Sequence, residues 1–304
     1  MSASSPAISV LMPCFNAARY LDSALRSVRA QSFADFELLL LDDGSTDESR
    51  IISESHARND NRIRILGGSH RGLVAQLNTG IESARAPLLA RMDCDDVCLP
   101  DRFVEQVHFL DCYPQHVAVG CWLQEIDAFG SPMRRIEHPL DHDVIDGAFI
   151  AGRSGAIAHP TVMMRADAVR RVGGYREGTF PAEDLDLFLR LGEVGRLGNV
   201  PQVLFQYRQH GSNVCFQKQQ RQREQVDRVL AEARRRRGLT VVPGAAPPAV
   251  HAGELTAGAR LRSWALHAIA AGNLGVARKH ALGLLRAAPL KLESWKVMYW
   301  ALTG

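Results

Sequence analysis

The sequence predicts an α/β protein, a mostly parallel sheet flanked by helices on both faces, with a small helical appendage at the C-terminal end. Three observations carry that expectation. Apolar runs of strand length alternate with segments of helical period through the first third of the chain. Those runs are continuously apolar, as strands covered on both faces must be. Acids follow directly at their ends, in "LLLLDDGSTDES" and "LARMDCDDVCLP".

Taken in order, "AISVLMP" reads as a buried strand, and Tyr20, Leu21, Ala24, Leu25 and Val28 follow at helical spacing. "FELLLLDD" is a second strand; "GSTDES" then opens a helix, with Ser45 and Glu48 at capping-box spacing. "RIRIL" gives a third strand, followed by the Gly-rich loop "GGSHRG" and the helical "LVAQLNTGIESA"; "APLLARMD" gives a fourth strand. Phe103, Val107 and Leu110 form one helical stripe that Pro114 ends. "HVAVGCWLQEID" reads as a strand hairpin-paired through "AFGSPM", "HPTVMMR" as another strand, and "PAEDLDLFLRLGEVG" as a helix entered after Pro181.

Residues 217–237 are polar and basic and read as a solvated helix, and "VVPGAAPPAVHAG" as a linker. Leu, Ala and Trp at helical spacing over 254–302 are enough for two or three short helices. The expected organisation is a main domain over 1–215, a basic helix and linker over 216–252, and a helical segment over 253–304.

A chain of 304 residues with 46% hydrophobic content supplies a sizeable core. The formal charge of +3 argues against nucleic-acid binding by bulk electrostatics. The charge is uneven, because residues 217–240 carry eight Lys/Arg against three Asp/Glu. The opening "MSASSPAISVLMPCF" lacks a basic n-region and its apolar run is broken by Pro13, so it does not read as a signal peptide. No window of about 18 consecutive apolar residues marks a membrane span. The expected location is the cytoplasm, with the six cysteines as thiols. A zinc site from Cys94, Cys98, Cys112 and Cys121 is disfavoured, since the spacing is not paired C-x-x-C.

In sheets of this kind ligands sit beyond the carboxyl ends of the strands, where both acidic clusters fall. Asp93 and Asp95, two apart on extended backbone, face the same way and can approach one hard cation; the alternative is that they only form a turn. Asp42 and Asp43 end a strand where an acid can accept hydrogen bonds from a base or ribose. No GxGxxG follows the first strand, where "MPCFNAARY" stands instead, so a dinucleotide is not expected. Glu183 and Asp184 lie in a helix's first turn, fit either for dipole compensation or for general-base work. His159 and His210 are ordinary structural candidates when read singly, while Arg208 beside His210 suits phosphate oxygens.

Together these stretches resemble the family 2 glycosyltransferases of the GT-A fold over about residues 7–215, with the closest likeness to bacterial enzymes that build surface polysaccharides. "ISVLMPCFNAARYLDSALRSVRAQSFADFELLLLDDGSTDES" is similar to the family's nucleotide-binding half, "GLVAQLNTGIESARAPLLARMDCDDVCLPDRFVEQVHFL" to its Asp-x-Asp segment, and "HPTVMMRADAVRRVGGYREGTFPAEDLDLFLRLGEVGRLGNVPQVLFQYRQHGS" to its acceptor half. The resemblance implies that Asp43 contacts the base, usually uracil, of a nucleotide-sugar donor, with Pro13, Asn16, Asp93 and Arg208 also on the donor side. It implies Mn²⁺ or Mg²⁺ held by Asp95, with Asp93 and His210 beside it, Asp184 as general base, and Glu183 positioning the acceptor. Cys94 departs from the commoner Ala or Ser, and Leu77 stands where many relatives carry Arg before the Asn. The absent Gln-x-x-Arg-Trp motif implies one sugar added per encounter.

The implied acceptor is a saccharide or lipid-linked saccharide. The basic segment is either a solvated face or a peripheral contact with anionic membrane on its inner side, helped by Trp and Tyr of "SWKVMYW". Two other classes fit part of the pattern. A nucleotidyltransferase should carry a basic phosphate loop after the first strand, where only Arg19 stands. A non-catalytic carbohydrate-binding or scaffold protein has no need of intact Asp43, Asp93, Asp95 and Asp184.

Overall fold

The computed structural model describes residues 5–210, 219–240 and 256–304. They fall into two compact units: within the described residues, the first takes 5–122, 138–205 and 220–240, and the second 123–137, 206–210, 219 and 256–304. The expected linker "VVPGAAPPAVHAG" lies outside the described residues.

The strands are β1 (Ile8–Cys14), β2 (Phe36–Asp42), β3 (Ile63–Gly67), β4 (Leu88–Arg91), β5 (Val97–Cys98), β6 (His116–Ile126), β7 (Pro132–Ile136), β8 (Met163–Arg165) and β9 (Arg196–Arg208). Their order is β3-β2-β1-β4-β8-β6-β9-β5, with β7 paired to β6. The first four pair in parallel and are joined by α1 (Ala18–Arg29), α2 (Ser49–Asn59) and α3 (Leu73–Ser83). β1 and β2 are buried at every position, as their unbroken apolar runs predict. Helix α1 turns Leu21, Ala24, Leu25 and Val28 inward. Helix α3 crosses the sheet closely at Gly80, where a Cβ would stand 2.9 Å from Leu41 Cδ1 and 3.0 Å from Leu11 Cδ2.

Beyond β4 the pairing reverses. β8 runs antiparallel to both β4 and β6, and β6 antiparallel to β7, as the hairpin reading expects. A parallel neighbour needs a crossover back to the same end, whereas β8 is entered from a short 3₁₀ turn at His159–Thr161 at the opposite end. Helices α4 (Arg102–Cys112), α5 (His142–Ile150), α6 (Ala166–Arg171) and α7 (Glu183–Gly192) complete this part of the chain.

Two local expectations are overturned. Ser45 and Glu48 form no capping box: α2 starts at Ser49, whose N–H donates to Asp47 Oδ1 at 2.9 Å, while Ser45 N–H donates to Asp42 Oδ1 at 3.0 Å. An aspartate two residues before the helix outcompetes the serine for the first orphan amide. The basic helix α8 (Gln219–Arg236) is also not a wholly solvated one. Val229, Leu230 and Ala233 are buried in the core of the first unit. Its arginines are engaged there as well: Arg236 pairs with Glu193 at 2.9 Å, Arg237 with Asp146 at 2.6 Å, and Arg234 Nη2 donates to Ile150 O at 2.9 Å.

In the second unit, α9 (Ala257–Ala270), α10 (Leu274–Ala287) and α11 (Leu292–Thr303) pack around Ala265, Ala268, Ala277, Ala281, Leu284, Val297 and Ala301. The hairpin of this unit places Glu125 and Asp127 in the interior, at 3% and 0% exposure. Glu125 pairs with Arg134 at 2.6 Å and His267 at 3.4 Å, and Asp127 with Lys279 at 2.6 Å and His280 at 3.1 Å. Among the described residues no helix is long and apolar enough to cross a membrane.

Candidate active site

Strand register decides what meets at the carboxyl edge. Cys14 stands opposite Asp42, and Asp42 opposite Gly67, so the ends of β1, β2 and β3 lie at one level. Leu11 stands opposite Arg91, and the same offset carried forward brings the segment after β4 to that level too. The order 3-2-1-4 reverses direction between β1 and β4, which is where such sheets open a ligand crevice.

Asp43 is fixed on the β2 side. Its carboxylate accepts from Arg71 N at 2.6 Å, Gly72 N at 3.0 Å and Gln76 Nε2 at 2.8 Å, and pairs with His70 Nδ1 at 2.9 Å. The "GGSHRG" loop therefore wraps this acid. Gly67 starts the wrap at φ +97°, where a Cβ would sit 2.2 Å from Asp42 O. Phe15, half exposed, lies 4.7 Å from the His70 ring, so an aromatic face stands at the rim. Asn16 accepts from Thr46 N at 2.8 Å and joins the β1 and β2 loops. Pro13 is buried within β1, opposite Leu41. Leu77 is a core residue at 0% exposure, and Asn78 exchanges hydrogen bonds of 2.8 and 3.0 Å with the Tyr175 backbone.

Across the crevice, Asp93, Asp95 and Asp96 each bring a carboxylate oxygen within 4.8 Å of the others. Such an all-oxygen set suits a hard divalent cation such as Mg²⁺ or Mn²⁺. Asp96 supplies a third donor that the sequence reading did not single out, and the expected His210 belongs to the second unit. Arg91 lies beneath at 4% exposure and forms an ion pair with Asp93. Fully buried Arg102 in turn holds the strand end, donating from Nη2 to Arg91 O at 2.8 Å. Cys94 and Cys14 are free thiols hydrogen-bonded to each other, and that bond, burial and the nearby Asp95 and Asp93 charges push the Cys94 thiol up.

Helix α7 brings the remaining acids. Asp186 is taken up by structure, paired with Arg190 and Arg176. Glu183 and Asp184 are not paired in this way; Leu185 N donates to Asp184 Oδ1 at 2.8 Å, and Glu183 Oε2 is buried without a hydrogen-bond partner among the described residues. Burial, then the neighbouring Asp184 charge, pushes Glu183 up to about 8. Burial also raises Asp184, with the Leu185 N–H and the Arg91 charge working in the other direction. Tyr175 and His159 line the same ground, His159 Nε2 lying 2.7 Å from the Tyr175 hydroxyl. Burial and the charge of Arg91 lower His159, so that imidazole is neutral. The charge of Arg91 is thus felt by Asp93, Asp96, Glu183, Asp184, Tyr175 and His159 alike.

The first unit therefore brings together Asp43, Asp93, Asp95, Glu183 and Asp184 at one sheet edge. Arg208 and His210 belong to the second unit, where both are buried. Phe15, Gln76, Arg91 and Tyr175 were not singled out by the sequence. Only Arg91 gave a signal, two positions before Asp93 on extended backbone and so on the same side.

The fold matches a mannosyltransferase, PcManGT from Pyrobaculum calidifontis in complex with GDP-Man and Mn²⁺, with a TM-score of 0.59 at 18% identity over 99% of this chain and 85% of that one. The molecule thus has the GT-A fold. The glycosyl transferase family 2 model matches residues 9–173, and glycosyltransferase EpsE of Bacillus subtilis (strain 168) is 34% identical over 211 residues, 68% of this chain and 74% of that protein. O-antigen biosynthesis glycosyltransferase WbnJ of Escherichia coli is 31% identical over 68% of this chain and 81% of its own length. The chain belongs to glycosyl transferase family 2.

Proposed function

We propose that this glycosyltransferase moves one sugar, with inversion, from a nucleoside-diphosphate sugar, UDP-linked by preference, to a hydroxyl of a saccharide or lipid-linked saccharide in cytoplasmic surface-polysaccharide synthesis. The observation that carries this reading is the Asp93/Asp95/Asp96 oxygen cluster, which shares the field of buried Arg91 with the Glu183–Asp184 pair. WbnJ, by name an O-antigen biosynthesis glycosyltransferase, and PcManGT, a mannosyltransferase in complex with GDP-Man and Mn²⁺, support the substrate classes.

Asp43, held by the loop amides and Gln76, presents its carboxylate to a base N–H, and the exposed ring of Phe15 offers that base a stacking face. Asp93 and Asp95 would hold a divalent cation, with Asp96 beside them. When bound, that cation supplies Lewis-acid stabilisation of the departing diphosphate. Asp184 accepts the proton of the acceptor hydroxyl, so the acceptor oxygen itself is the nucleophile, and a single displacement inverts the anomeric centre. Glu183, raised to about 8, carries a proton near neutrality and donates a hydrogen bond that orients the acceptor. Arg208 and His210 are assigned to the phosphate and metal side of the donor by family resemblance.

The test is product release with UDP- and GDP-sugars, together with calorimetry of UDP with Mn²⁺ and with EDTA. Free nucleoside diphosphate and Mn²⁺-dependent binding that Asp95→Asn abolishes are expected. Pyrophosphate would indicate nucleotidyl transfer, and release of neither product a scaffold.

A further inference from the structure

The last helix has two faces. Ser294, Val297 and Ala301 of α11 turn into the core of the second unit. On the opposite side Leu292, Trp295, Tyr299 and Leu302, spaced three, four and three apart, form one exposed stripe, with Trp295 at 58%, Tyr299 at 63% and Leu292 at 71% exposure. Leu290, at 98%, extends the stripe past the helix start. An apolar row this exposed on a folded helix marks an interaction surface.

Charge decides the partner. Residues 256–304 carry seven Lys/Arg and one acid, Glu293, and that acid is spent on Arg262 at 2.7 Å. Lys291 and Lys296 flank the stripe and are exposed. A second copy would have to bring these cations against their own images. An anionic bilayer takes all three parts at once: Leu side chains enter the acyl boundary, Trp and Tyr sit at headgroup depth, and lysines meet phosphate. The expected "RRRRG" contact is weaker on this structure, since Arg234, Arg236 and Arg237 are already engaged with the first unit. With 12 residues, α11 is too short to span and suits lying in the interface plane.

We propose that the α11 face is a peripheral membrane-docking surface for anionic phospholipid, an assignment independent of the catalytic reading. The test uses the full chain and sucrose-loaded vesicles of phosphatidylcholine alone or with one quarter phosphatidylglycerol. Partitioning is expected to be about tenfold or more stronger on the anionic vesicles, with a blue shift of tryptophan emission. Leu292→Gln/Trp295→Gln/Tyr299→Gln/Leu302→Gln should lose about tenfold of that binding while keeping its circular dichroism and nucleotide affinity. Lys291→Gln/Lys296→Gln, which leaves the apolar stripe intact, should lose the anionic preference alone. Equal binding to both vesicles, undiminished binding by the folded quadruple variant, or a wild-type dimer that this variant dissociates would each overturn the proposal.

Discussion

Arg91 and Asp93 form an ion pair in which the cation is buried at 4% exposure and the carboxylate side chain reaches 28%. Removing the carboxylate strands a guanidinium that has no water to return to. Asp93→Ala is therefore expected to destabilise the metal-free protein by about 1–3 kcal/mol, measured by urea unfolding in EDTA. No loss of stability would mean that Arg91 draws its compensation elsewhere.

Asp184 is the proposed base, so its loss should affect the chemical step rather than binding. Asp184→Asn is expected to lower kcat by about 10²- to 10⁴-fold while UDP affinity in Mn²⁺ stays within a few fold. Near-normal turnover would remove Asp184 from the mechanism.

The same residue sets a pH limb. Because burial raises Asp184, the activity lost on acidification should fall away above the ordinary carboxylate range. Arg91 opposes that rise, so Arg91→Met should move the limb to higher pH, and Arg91→Lys should leave it near the wild-type position. Profiles of kcat at saturating donor and Mn²⁺ report both shifts.

Glu183 makes stability fall as pH rises. The unfolded chain releases this proton near the ordinary glutamate value of 4.5, whereas the folded protein keeps it to about 8. Between those values the folded state binds more protons, so metal-free stability declines through that window and levels off above it. Glu183→Gln should flatten the decline, as melting temperatures at pH 5 and pH 8 in EDTA would show. An equal slope in both proteins would assign the pH dependence to other groups.

Leu230 lies at 1% exposure in the first unit's core, although charged and polar residues predominate along its helix. Leu230→Ala is expected to cost about 2–5 kcal/mol in urea unfolding. A solvated helix would lose almost nothing.

The parallel half of the sheet was legible because runs of strand length, the first two unbroken and apolar, alternate with loops and helical periods and admit few other arrangements. Asp43, Asp93 and Asp184 could be located for a related reason: an acid next to a strand end or in a first helical turn has a position that periodicity fixes. Their partners were not legible. Gln76 looks like any polar helical residue until the "GGSHRG" loop folds it onto Asp43, and Tyr175 meets His159 only in three dimensions. The role of α8 escaped because Val229, Leu230 and Ala233 are outnumbered by charges. The reversal at β8 depends on which end of the sheet the chain re-enters, and local pattern does not carry that information.

The hairpin carboxylates Glu125 and Asp127 have a practical corollary for anyone trimming or recombining this enzyme. Burial would raise Asp127, yet His280, Lys279 and the Ser131 and Phe129 amides hold it well below the usual carboxylate range, and His267 does similar service for Glu125. Helices α9 and α10 thus provide partners, His267 and Lys279, for a hairpin encoded some 140–150 positions earlier. A shortened version ending before those helices would take Lys279 from buried Asp127 and leave Glu125 with Arg134 but without His267, so any chimera should exchange hairpin and tail as a single cassette.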